Sequence, residues 1–90
     1  MWFVYFLISQ RHPKYIYVGL TSNIERRISQ HNAKASKLAT APYQPLKLAG
    51  YVAVHNEENA KSLEKYFKGG SGKAFLKKRI LSDVQAKDGA

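Results

Sequence analysis

The chain reads as a mixed α/β domain of the α+β kind, a small three-stranded, mainly antiparallel sheet flanked by helices in the order β-β-α-β-α-α. Three observations carry that reading. Two aromatic and branched runs, residues 2–8 and 15–18, stand on either side of a turn-rich stretch. Two later segments repeat apolar residues at helical spacing behind good capping residues. No internal repeat interrupts the 90 residues, a length suited to one domain.

Residues 2–8, Trp-Phe-Val-Tyr-Phe-Leu-Ile, show no polar alternation, which suits a central strand covered on both faces. The run has no basic region before it and is too short to span a bilayer, so it is a strand and not a targeting or membrane segment. Residues 9–14 have turn composition; Tyr15-Ile16-Tyr17-Val18 resumes strand character and Gly19 is expected to stop it. The two runs form a hairpin. Thr21, Ser22 and Asn23 are all N-cap residues, and Ser22 with Glu25 has the spacing of a capping box. A helix therefore starts there and runs to about residue 34, with Asn32 an early fraying point.

Residues 33–44 form a linker without regular period, and residues 46–54 alternate enough for a third strand, interrupted at Gly50. Asn56 caps a second helix, Glu57 and Glu58 suit its positive end, and Ala60, Leu63 and Phe67 form its apolar stripe. Gly69-Gly70 ends it. Ser71 then caps a third helix over 72–81, with Ala74, Phe75, Ile80 and Leu81 inward. The expected domain covers residues 1–81 and a polar tail covers 82–90.

Composition narrows the function. Fifteen Lys and Arg against six Asp and Glu give a net charge of +9, which asks for an anionic partner. No long basic amphipathic helix with exposed aromatics is visible, which favours nucleic acid over a membrane surface. The alternative is a solubilising excess of lysine. Absence of cysteine removes disulfides, thiolate catalysis and cysteine-ligated zinc, and with no targeting signal the expected compartment is the cytoplasm. A chain this short hides only about 60% of its unfolded surface on folding, but 44% hydrophobic content makes a compact core feasible.

Three polar residues stand where apolar ones belong. Arg27 and His31 share one helical stripe with Ile24 and Ile28. A guanidinium there must meet a carboxylate or border a cleft that receives an anion such as phosphate. His31 could serve as ligand, proton-transfer group or phosphate donor, or be a satisfied structural histidine. Glu64 falls between Ala60, Leu63 and Phe67 in angle, and is the one acid not explained by a cap, a helix dipole or the tail. One carboxylate with waters and phosphate oxygens is a common way to hold Mg²⁺; a buried Arg27–Glu64 ion pair is the competing account. Tyr5 and Tyr17 sit on neighbouring strands as core aromatics, or as phenols whose pKa an adjacent cation or Arg could lower. The stretch 69–73 is a helix stop with backbone amides open to an anion, not a P-loop.

Val4-Tyr5, Tyr17-Val18-Gly19, Arg27 with His31, and Glu64 on successive elements resemble the GIY-YIG nuclease superfamily, in particular its small stand-alone bacterial members, whose stretch after the metal helix is similar to residues 66–79 here. The resemblance covers residues 2–81. It implies that Tyr5 and Tyr17 position or deprotonate the attacking water, that Arg27 contacts the scissile phosphate, and that Glu64 holds one divalent ion, Mg²⁺ or Mn²⁺. His31 matches a position held by histidine in several members, and Gly19 closes the second motif. The implied reaction is metal-assisted hydrolysis of a DNA phosphodiester, leaving a 5′-phosphate and a 3′-hydroxyl, in DNA repair or processing. Phe3 stands where the motif name has glycine, Leu20 where the repair branch has lysine, and residues 69–72 lack that branch's asparagine. The expected substrate is DNA, branched or flapped, gripped through Lys65, Lys68, Lys73, Lys77, Lys78 and Arg79, with a protein partner supplying any specificity and no membrane role. The alternative is a basic nucleic-acid-binding module that does not cut. A protein-interaction role through Trp2 and Tyr43 ranks below both.

If the basic surface meets phosphates, affinity for DNA of fixed length falls steeply between ~50 and ~200 mM salt while base sequence matters little. Anisotropy titrations at several salt concentrations check this, and a flat salt response refutes the phosphate-contact reading.

Overall fold

The computed structural model describes residues 1–81, so the expected tail at 82–90 lies outside the described residues. Strand β1 (Trp2–Ser9) is central, with β2 (Ile16–Thr21) and β3 (Leu46–Val54) antiparallel on its two sides in the order β2-β1-β3. Helix α1 (Ile24–His31) follows β2, α2 (Glu57–Lys68) follows β3, and α3 (Gly70–Phe75) continues as a π-helical turn over Leu76–Ile80. This is the expected α+β architecture. Alternation along β1 explains its burial on both faces from Val4 onward: Val4, Phe6 and Ile8 join Ala60, Phe67, Leu76 and Leu81 on one face, while Tyr5 and Leu7 join Leu46 on the other. The Phe6 and Phe67 rings meet edge-on at 5.0 Å.

Gly19 does not stop β2. It pairs with Tyr5 in the hairpin register, and the Tyr5 ring lies where a Cβ on residue 19 would be built. Glycine is therefore needed for close approach of a ring to the strand, and β2 continues to Thr21. Strand β3 shows the expected irregularity, because Phe6 pairs with Gly50 and Leu7 with Leu48, leaving Ala49 as a bulge.

The cap of α1 is Asn23, whose side-chain oxygen accepts from the Arg26 amide at 3.0 Å, and no Ser22–Glu25 capping box forms. Thr21 closes a local turn onto Asn23 instead, which places the helix start one residue later. The helix also ends at His31, short of residue 34. Asn32 is the reason: its side chain donates to the Leu46 carbonyl at 2.9 Å and accepts from the Leu46 amide at 2.7 Å, as a neighbouring strand would.

The linker is more ordered than its composition implies. A 3₁₀ turn spans Ala41–Tyr43, the Tyr43 ring stacks on Tyr15 at 3.7 Å, and the Gln44 amide donates to the carbonyls of His31 and Ala33 beyond the helix end. Tyr43 is thus half-buried, as is Trp2, which packs against the core; neither is the exposed aromatic that a protein-docking role would use.

The third helix starts at Gly70, two residues earlier than expected, because Gly69 both ends α2 and caps α3. Gly72 then faces the end of α2, where a Cβ would overlap the Tyr66 carbonyl. Leu76 follows on that face, and the wider π turn, closed by the Leu81 amide on the Leu76 carbonyl, returns Leu81 to it. Ala74 and Phe75, expected inward, are exposed, Phe75 at 46%.

Gly19→Ala should cost about 1–3 kcal/mol, since the Tyr5 ring must move away. Gly70→Ala, with nothing within 4 Å of the added carbon and no positive φ, should be neutral or stabilising by up to about 1 kcal/mol. Urea midpoints check the pair: that of Gly19→Ala should fall and that of Gly70→Ala should hold or rise.

Candidate functional site

The site is built on the face of the sheet that α1 covers. Tyr5 points there from the central strand, crosses over Gly19 and reaches His31 Nε2 with its hydroxyl at 2.8 Å. His31 Nδ1 is 2.5 Å from Thr40 Oγ1. Tyr5, His31 and Thr40 are 1%, 1% and 0% exposed, so the chain of three is buried end to end. Both imidazole nitrogens are engaged, which leaves neither for a metal or a phosphate. Tyr17, next to Tyr5 on β2, packs its ring 6.1 Å from that of Tyr5 and 5.0 Å from that of His31, yet is only half-buried.

Arg27 lies one turn before His31 and is half-buried, with Nη1 donating to Gln30 Oε1 at 2.8 Å. Its guanidinium stands beside the Tyr5 hydroxyl. The Arg27–Glu64 ion pair does not form. Glu64, half-buried on α2, instead pairs with Lys68 one turn along at 3.1 Å. That bond is worth little, because the lysine is largely in solvent. The Glu64 charge is still one of those felt by Tyr5.

The electrostatics separate the titratable groups. Burial pushes the Tyr5 phenol up to about 12; Arg27 opposes this, while Tyr17 and Glu64 add to it. The lowering expected from an adjacent Arg is present but is outweighed by desolvation. Tyr5 therefore keeps its proton at neutral pH. His31 is pushed below the usual histidine range, first by burial and then by the Arg27 charge, so it is neutral there.

Among the described residues no three His, Asp or Glu side chains gather into a metal-binding group. Among the described residues a cation here would have Glu64 as its one carboxylate, which fits a hard ion that keeps several waters and takes phosphate oxygens, and does not fit an ion that needs an all-protein cage. Lys65, Lys68, Lys73, Lys77, Lys78 and Arg79 are all exposed along α2, α3 and the π turn, and Lys68 is held by Glu64.

Sequence reasoning missed Thr40. The signal was available in part, since a histidine on an inward stripe needs a partner for each nitrogen, and the linker offers few hydroxyls, those of Ser36, Thr40 and Tyr43. Choosing among them requires the path of the linker.

Residues 1–79 match the GIY-YIG catalytic domain. The chain is 32% identical over 75 residues to a Pediococcus acidilactici protein described as "UPF0213 protein in ldhD 5'region", across 81% of this chain and 76% of that one. No solved structure matches.

The neutral burial of His31 has a pH signature. Its folded pKa lies below its unfolded value near 6.5, so below that pH the unfolded chain binds more protons. The stability is complete above pH ~6.5 and is lost as pH falls, with a slope of at most about 1.4 kcal/mol per pH unit. Urea unfolding from pH 8 to 5 should show this loss, and His31→Asn should remove it while lowering stability at pH 8.

Proposed function

This chain belongs to the GIY-YIG family, and we propose from that membership that it is a divalent-metal-dependent endonuclease hydrolysing DNA phosphodiester bonds. The single observation that carries the reading is the buried Tyr5 phenol, with the Tyr17 ring 6.1 Å from its own, the Arg27 guanidinium beside it and the Glu64 charge felt there, each from a different element. Packing does not account for the two charged members, since Arg27 and Glu64 are half-buried and form no pair with each other.

In this reading water attacks the phosphorus, the bond to the 3′ oxygen breaks, and that oxygen takes a proton, leaving a 5′-phosphate and a 3′-hydroxyl. Tyr17, which solvent reaches, orients the attacking water. Tyr5 holds its proton and its place, fixed by His31, and lines the site next to Arg27. His31 is a positioning residue, since it is covered by Tyr5, Tyr17 and Thr40. Arg27 has donors beyond the one given to Gln30 and meets the phosphate as charge develops. Glu64 would hold Mg²⁺ or Mn²⁺, whose contribution when bound is Lewis-acid stabilisation of that charge. Release of Lys68 frees the carboxylate for this task.

The basic residues of α2, α3 and the π turn supply backbone contacts, so the selectivity expected is for DNA structure or weak for sequence, in repair or processing, with a partner protein adding specificity. No helix among the described residues is long and apolar enough to cross a membrane, and the cysteine-free sequence suits a reducing cytoplasm. One observation favours the alternative of a binding module that does not cut: Glu64 already has a cation in Lys68.

Glu64→Gln separates the two. The nuclease reading expects a folded protein that binds DNA at least as well and loses Mg²⁺-dependent cleavage by orders of magnitude; a variant cleaving at the wild-type rate ends the metal assignment. Arg27→Ala should lower turnover about 10²-fold or more with a much smaller change in DNA affinity. Cleavage of branched, flapped and duplex DNAs, alongside anisotropy and thermal melts, reads all of these.

A further inference from the structure

Helix α1 is eight residues long and covers only part of its sheet face. Ile28 packs on Tyr5, Leu7 and Leu46, but towards β3 the same face carries an uncovered aromatic. Tyr51 is opposite Tyr5 in the β1–β3 register, and side chains of directly paired residues share a face. Tyr5 is 1% exposed and Tyr51 is 53% exposed. Phe3, two residues before Tyr5 and so also on this face, meets the Tyr51 ring edge-on at 5.6 Å. With Leu48 beneath them and the start of α1 opposite, the two rings border a cavity of about 450 Å³, within the range of small-ligand sites.

The chemistry of the walls selects the occupant. The chain has 15 Lys and Arg, yet among the described residues none lines this cavity. Its polar groups include Asn23, whose side-chain oxygen is spent on capping α1 so that its amide nitrogen remains a donor, and the Glu25 carboxylate, an acceptor. Glu25 would repel a phosphate. A flat group with donors and acceptors on its edge fits between such walls and an aromatic face.

Resting on the nuclease reading, we propose that the groove between Phe3, Tyr51 and the start of α1 binds an unpaired nucleobase of the DNA, stacked on Tyr51, beside the phosphate that meets Arg27. Paired Cα atoms of an antiparallel ladder are about 4.5–5.5 Å apart, so Tyr51 is one strand spacing from Tyr5, and a base held there belongs to a nucleotide near the scissile bond. Stacking is tolerant of base identity, which agrees with recognition by structure. The substrate class is then DNA with unpaired nucleotides at the cleavage point, in preference to continuous duplex.

The test uses the full chain in metal-free buffer, so that nothing is cut, and labelled DNAs of equal length: a duplex, a duplex with a single-stranded arm, and the same arm built of abasic nucleotides that keep every phosphate. The wild type should prefer the normal arm, and the abasic arm should lose that preference. Tyr51→Ala should weaken binding of the normal arm about tenfold or more and leave duplex binding unchanged, whereas Tyr51→Phe should keep the wild-type pattern. Equal binding of normal and abasic arms, or equal effects of Tyr51→Ala on arm and duplex, overturns the proposal. So does a wild-type dimer in sedimentation that Tyr51→Ala converts to monomer, which would give the surface to a second copy. If the wild type cuts DNA while any of these holds, the base site alone has failed; if it binds none of the DNAs, the nuclease reading fails with it.

Discussion

The Tyr5 ring lying across Gly19, with its hydroxyl held by His31, is the contact on which the rest of the site depends. It joins the central strand to the neighbouring strand, to α1 and, through Thr40, to the linker. Each participant constrains another. Gly19 must lack a side chain for the ring to cross; the ring must cross for the hydroxyl to meet His31; and His31 stays buried only because Thr40 takes its second nitrogen. A buried donor or acceptor left without a partner costs about 1–3 kcal/mol, so the chain of bonds stands or falls as a unit.

That constraint also orders the charges. A phenol pushed up by burial is a neutral, rigid wall at physiological pH, and a neutral histidine behind it adds no charge of its own. Arg27 is then the local cation at the phenol, and Glu64 the acid that acts on it from the opposite helix. An uncharged aromatic centre thus feels one positive and one negative charge from separate helices.

The two faces of the sheet divide the work. The face carrying Val4, Phe6 and Ile8 packs on α2 and α3 and is apolar throughout, so it supplies stability through burial. The face carrying Tyr5 and Leu7 is covered by a short helix and a linker, and its polar groups are satisfied by side chains drawn from distant positions: Asn32 on Leu46, Gln44 on His31 and Ala33, Ser9 on Tyr43. Because these bonds fold the linker against the sheet, residues that look like a polar spacer complete the support of the site.

What the sequence by itself determined was whatever depends on local period and local chemistry. The strands at 2–8 and 46–54, the hairpin, the Asn56 cap and the apolar stripe of α2 follow from spacing and capping, and so does the inward position of Arg27, His31 and Glu64, because neighbours along the chain set all of these. The motif residues were legible through the family resemblance that they carry together. Only the tertiary structure decided what depends on distant partners. It assigned Gly19 to ring packing and not to strand termination, and it chose Lys68 and not Arg27 as the partner of Glu64. It also turned Phe75 outward by seating Gly72 on α2, and left Tyr51 uncovered beside Tyr5. Thr40 is the plainest case. Nothing in the eight intervening residues marks it as the partner of His31; the linker's return to the sheet, directed by Asn32 and Gln44, brings the hydroxyl to the ring.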